Sequence, residues 1–159
     1  MRPELIHPML VHFPIALLFT GVFVRIAALW TKNKPIFCFL LPASWMILIL
    51  GVITAWSAVI AGEIAREIVE STLENLRVLD EHENHAYITA SGFTIGLLID
   101  WTRVFLLAKF QKKGWVVKKG LAVVLWFFYL FSLANLVVTG IYGATLVYEQ
   151  GAALRKATH

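Results

Sequence analysis

His7-Pro8-Met9-Leu10-Val11-His12-Phe13-Pro14 heads an apolar run that continues to Trp30, with Arg25 as its one charge. A helix crossing a bilayer needs about 20 apolar residues, and this run has the length. Runs over 36–61, 85–108 and 120–148 repeat the pattern. Of the chain's 159 residues 59% are hydrophobic and 15% charged, and the mean hydropathy is +0.75. A soluble domain is roughly 45–50% apolar and 25% charged. The chain reads as one all-α, multi-pass membrane domain spanning 1–159. Helices satisfy their own backbone in lipid, and the alternation of a barrel strand is missing.

The opening run differs from a cleaved signal segment. Only Arg2 precedes it, Glu4 lies beside that, and no small-residue cleavage site follows. It is expected to stay as the first helix. Pro8 suits a first turn, where its missing N–H has no partner anyway. Pro14, deeper in, is expected to loosen the ladder.

Charge sets the expected topology. Thr31-Lys32-Asn33-Lys34-Pro35 is basic, and the third connection carries Lys109, Lys112, Lys113, Lys118 and Lys119. Both are expected on the cytoplasmic side. The second connection, 63–84, is acidic and belongs outside with both termini; Arg155 and Lys156 are outweighed by the lysine-rich loop. Ile64, Ile68, Val69, Thr72, Leu73 and Leu76 recur there at helical spacing, with Glu63, Glu67, Glu70 and Glu74 between them. This is either an extension of the second helix or a short amphipathic helix capping the bundle. Short connections make the expected architecture an up-down-up-down four-helix bundle. Gly92-x-x-x-Gly96 offers a close-approach face between helices.

The net charge of +4 is topological and does not point to nucleic acid. Lone Cys38 leaves no disulfide framework, no thiolate iron–sulfur cluster and no CxxCH haem attachment. There is no nucleophile–base pair, P-loop or dinucleotide fingerprint, so no catalytic residues are assigned and hydrolase or transferase chemistry is unsupported.

The histidines are the informative residues. His7 and His12 head the first helix, and His82 and His85 head the third. Both heads belong at the outer face, and His82 and His85 share a helical face. Depth would pair His7 with His82 and His12 with His85. Imidazole suits iron, copper and zinc. Two imidazoles facing across an apolar bundle also describe a b-type haem site, with Arg2, Arg66 and Arg77 as partners for the propionates. Four histidines allow one haem with two spare ligands, or two haems. With Glu81, Glu83 and Glu149 nearby, a haem-free site for zinc, copper or iron, serving sensing or transport, is the alternative. A structural subunit without cofactor is the third reading. Arg25, Asp100 and Arg103 lie in the inner half. Asp100 and Arg103 are spaced to pair, a structural role set against a proton path or a quinone contact.

The opening His7-Pro8-Met9-Leu10-Val11-His12-Phe13-Pro14-Ile15-Ala16 resembles the start of a bacterial family of four-helix membrane proteins, domain of unknown function 2231. So does the ending, Gly140-Ile141-Tyr142-Gly143-Ala144-Thr145-Leu146-Val147-Tyr148-Glu149-Gln150-Gly151, with Ala144 in place of the second glycine of a pair. His82-Glu83 matches a family His-Glu before the third span. Relatives occur fused to cytochrome c-like or Rieske-type modules, and this association implies an electron-transfer setting. The expectation is a haem b cytochrome of the bacterial inner membrane, closer to an electron carrier or small oxidoreductase than to other enzymes. A quinol in the lipid bilayer and a periplasmic redox protein are its expected partners, with a homo-oligomer left open.

Overall fold

A computed structural model describes residues 6–31, 34–109 and 115–152. Its described secondary structure is entirely helical. Helices α1 (Ile6–Leu10) and α2 (His12–Trp30) make the first crossing. A 3-10 turn at Pro35–Phe37 leads into α3 (Leu40–Val69). A second, at Glu70–Thr72, leads into α4 (Leu76–Lys109), and α5 (Trp115–Tyr148) closes the bundle. Met1–Glu4 and the lysine-rich loop around 110–114 lie outside the described residues, as does the tail with Arg155 and Lys156.

Local chemistry explains the breaks. Pro14 has no N–H, so the carbonyl of Leu10 loses its helical partner and the helix interrupts at Val11. The ladder resumes at once, loosened: Val11 N–H reaches the His7 carbonyl at 3.1 Å, and Ile15 N–H reaches Val11 at a stretched 3.4 Å. At the far end Gly151 adopts φ 66°. This left-handed turn lets Ala152 N–H return to the Leu146 carbonyl at 2.8 Å.

The stretches 6–30, 35–72 and 119–148 are long and apolar enough to cross a membrane. Helix α4 has the same 34 residues as α5 but a polar opening, and falls short of that measure. The acidic connection is no separate capping helix. Helix α3 continues to Val69 and α4 begins at Leu76, so two extended helices meet at a tight turn. Ala65 and Leu79 are buried there, whereas Ile64 and Ile68 stay exposed.

Packing divides the bundle into two hairpins. Helix α2 packs along α3 and α4 along α5, with far less between the pairs. Hydrophobic exclusion does not drive helices together in lipid, so close backbone approach must. Gly21 lies against the Leu48 side chain, and Gly51 against Leu18. In the second hairpin Gly92 lies against Ser132, and Gly96 against the Tyr129 ring.

The second hairpin repeats the first. Arg25 and Asp100 are 75 positions apart, and the same interval relates His7 to His82, Leu18 to Phe93 and Gly21 to Gly96. Another constant interval relates Trp45 to Trp126, Leu48 to Tyr129, Ala55 to Leu136 and Gly62 to Gly143. Burial follows the same register: Leu18 and Phe93 are buried, as are Leu48 and Tyr129, and Ala55 and Leu136. The chain is therefore an internal duplication, two parallel helical hairpins face to face.

Candidate functional site: a paired-imidazole centre

Equivalent residues of two halves can touch only near the line that relates the halves. Among the described residues His7–His82 and Arg25–Asp100 do so, one pair toward each end of the bundle. At one end the His7 and His82 rings lie 5.8 Å apart between centroids, with their planes at 89°. Toward the other end Arg25 and Asp100 form a buried ion pair.

Each of these imidazoles is held in the same way by its own hairpin. His7 Nδ1 bonds the Ala58 carbonyl on α3 at 2.9 Å. His82 Nδ1 bonds the Thr139 carbonyl on α5, also at 2.9 Å. A carbonyl only accepts, so both Nδ1 atoms carry the proton and both Nε2 atoms keep a bare lone pair. One helical turn beyond each carbonyl stands a glycine. A Cβ on Gly62 would come within 3.1 Å of His7 Cε1, and a Cβ on Gly143 within 3.1 Å of His82 Cε1. The two glycines are the recesses in which the rings sit.

His85 joins this end without pairing with another histidine. Its Nδ1 donates to Asn135 Oδ1 at 2.8 Å, and its ring stacks on Tyr142 at 5.7 Å. The Asn135 amide is oriented by donating Nδ2–H to the Phe131 carbonyl at 2.9 Å. His85 thus has the same tautomer as the other two. His12 is exposed and outside the cluster. Five positions turn a helix by roughly 140° from His7, so the two face different ways. The structure supports the depth pairing of His7 with His82 and gives none for His12 with His85.

The arginines expected at the mouth divide. Arg66 is committed to carboxylates: Glu83, Asp80 at 2.7 Å and Glu70 at 3.6 Å. Arg77 is exposed, and Arg2 lies outside the described residues. The Tyr87 hydroxyl donates to Glu63, and Trp56 Nε1 donates to Thr94 Oγ1 at 3.1 Å. These bonds and the Arg66 cluster join α3 to α4 across the line between the halves. Among the described residues no group of three or more His, Cys, Asp and Glu side chains is placed to hold a metal ion.

At the other end Asp100 pairs first with Arg25. Arg103, the neighbour suggested by spacing, stands at 3.8 Å. Arg25 reaches Ser44 at 3.4 Å and lies over the Trp45 ring. Asn135, Tyr142, Gly62 and Gly143 escaped the sequence reading as site residues. The constant intervals linking His7 to His82 and Gly62 to Gly143 are the signal that finds the two glycines; Asn135 and Tyr142 match Thr54 and Ala61 and carry no such signal.

The family model described as a predicted membrane protein, DUF2231, matches residues 3–156, and the chain belongs to that family. No curated protein and no solved structure matches it.

Proposed function

We propose that the protein is a membrane electron carrier that would hold one b-type haem between its two hairpins, with His7 and His82 as the residues that bind it. The observation that carries this reading is the symmetry of the two imidazoles. Each comes from one half, each has Nδ1–H tied to a backbone carbonyl, and each keeps Nε2 free. Anchoring the far nitrogen is how proteins orient an imidazole that binds a metal. With metal–nitrogen bonds of about 2.0–2.1 Å on each side, two rings sharing one metal have centroids about 6 Å apart. The separation here is 5.8 Å.

The number of ligands favours haem over a bare ion. Porphyrin brings four nitrogens and asks the protein for two. A bare zinc site usually takes three or four protein ligands. The thin packing between hairpins is where a flat macrocycle would slot, and the glycine recesses leave room for the rings it binds. Haem would supply one-electron chemistry. His7 and His82 would hold the iron, and the apolar helices around them would keep water from it. Arg77 remains for a propionate, since Arg66 is taken by carboxylates. With the lysine-rich loop inside, the centre faces the periplasmic side of a bacterial inner membrane. A quinol in the bilayer would then be the donor and a periplasmic redox protein the acceptor.

One observation favours a second reading. Glu63, Glu70, Asp80 and Glu83 make the mouth acidic, which attracts a free transition-metal cation and repels propionates. An absorption spectrum of protein purified from haem-replete cells separates the readings. A Soret band that sharpens on reduction is expected. A colourless protein containing stoichiometric copper, zinc or iron would select the second reading, and one with neither would overturn both.

A further inference from the structure

The hairpins meet along two seams, α3 against α4 and α2 against α5, which the duplication makes equivalent. Toward the imidazole end the two seams are built differently. On the first, Trp56 donates to Thr94, Tyr87 to Glu63, and Arg66 to Asp80 and Glu83. The matching positions on the second are Val137 with Phe19, Ala144 with His12, and Val147 with Leu5 and Pro8. None of these sets brings a side-chain donor to a side-chain acceptor.

Burial follows the same division. Ala90, between Tyr87 and Thr94 on α4, is fully buried, and Val59, between Trp56 and Glu63 on α3, is buried too. Their counterparts on the second seam are Ile15, 38% exposed, and Gly140, exposed with nothing within 4 Å of an added Cβ. Ile15 is larger than the alanine it matches and yet less covered, so the facing helix and not the size of the side chain makes the difference. Helix α3 accordingly packs against α4 more closely than α2 does against α5. Lipid tails are as apolar as these side chains, so burial gives no drive to close the second seam. The first seam is further tied by the short turn between Val69 and Leu76, and the foot of the bundle by Arg25 on α2 and Asp100 on α4. His7 and His82 touch on the line between the halves, with one seam on either side.

We infer that the outer part of the α2–α5 seam is a lateral gate from the bilayer to the two imidazoles, with the polar α3–α4 seam as its hinge. Its passenger is a flat, apolar-bodied molecule dissolved in the membrane, a tetrapyrrole on the paired-imidazole reading; the passenger rests on that reading and the gate does not. A plate slides edge-first between two helices that part slightly, and no loop has to unfold. A hydrated metal ion has no such route, because it does not partition into lipid.

Spin labels at equivalent positions test the gate. Met9→Cys with Ile141→Cys spans it, and Asn84→Cys with Ile60→Cys spans the hinge; all four positions are exposed. Cys38→Ser removes the exposed native thiol. In cofactor-free protein in lipid nanodiscs, pulsed electron–electron resonance should give a distance distribution about twice as wide for the gate pair as for the hinge pair. Equal widths, or a wider hinge pair, would overturn the gate. Passage is tested with hemin as the probe and the Soret band as the readout. A bismaleimide tie across the gate pair should slow hemin uptake about tenfold, and the same tie across the hinge pair should leave it within about twofold. Equal slowing by both ties would overturn the route. Absence of hemin uptake in the untied protein would overturn the passenger along with the haem reading, whereas the distance widths need no cofactor and decide the gate by themselves.

Discussion

The two hairpins share one plan and differ in what fills it. In the first, Gly21 and Gly51 receive the leucines Leu48 and Leu18, and the buried polar side chains Arg25 and Ser44 bond each other. In the second, Gly92 and Gly96 receive Ser132 and Tyr129, and a polar row continues to the His85–Asn135–Tyr142 group. What the halves keep in common is therefore what the shared architecture needs: a glycine against a bulky neighbour, and a histidine anchored on a carbonyl with a glycine one turn on. What they do not share marks added chemistry. Polar atoms buried in lipid are costly and tend to be functional, and among the described residues those left without a hydrogen-bond partner all lie in the second hairpin.

The comparison is broken most severely at Arg25 and Asp100, where the halves meet. Asp100→Ala strands a buried guanidinium and should destabilise the protein by about 3–5 kcal/mol, read by denaturation in mixed micelles. Exchanging the pair, Arg25→Asp with Asp100→Arg, should recover part of that loss, because the two positions are equivalent. No recovery would mean that the interior around them is not.

A smaller effect separates the two glycine contacts. A Cβ at Gly96 would come within 2.6 Å of the Tyr129 ring, and one at Gly21 within 2.7 Å of the end of the Leu48 side chain. The ring is stiff and packed against Phe93 and Trp126, whereas a leucine can change rotamer. Gly96→Ala should cost about 1–3 kcal/mol and Gly21→Ala clearly less, by the same denaturation. At the recesses, Gly62→Val and Gly143→Val should each displace an imidazole and reduce haem content to a similar extent with helix content intact. Unequal losses would show that the two rings are not equivalent. Smallest of all is Gly140→Ala. Nothing lies within 4 Å of the added carbon, and the helix should gain about 0.5–1 kcal/mol.

Much of the fold was legible because bilayer length and apolar composition are local properties. Four runs, their short connections and four histidines at one end can be counted along the chain. The partners were harder. Asp100 sits three positions from Arg103, and that spacing suggested a pair, but its main partner is Arg25, 75 positions away. Distance along the chain conceals such a contact unless the duplication is noticed. His12 stood beside His7 as a candidate ligand because the two share a motif, yet five positions on a helix turn it away and leave it exposed. The duplication is hidden because hydrophobic residues substitute freely: Leu18 becomes Phe93 and Leu48 becomes Tyr129 without disturbing the pattern. His7 and His82, Trp45 and Trp126, Gly21 and Gly96, and Gly62 and Gly143 keep their identity.

Haem content of single-histidine variants tests the paired centre most directly. Wild type should carry one haem per chain, His7→Ala and His82→Ala should each lose it to the same degree, and His12→Ala should keep it. If either His7→Ala or His82→Ala retains a full complement with an unchanged spectrum, the two imidazoles do not share one iron and the account fails.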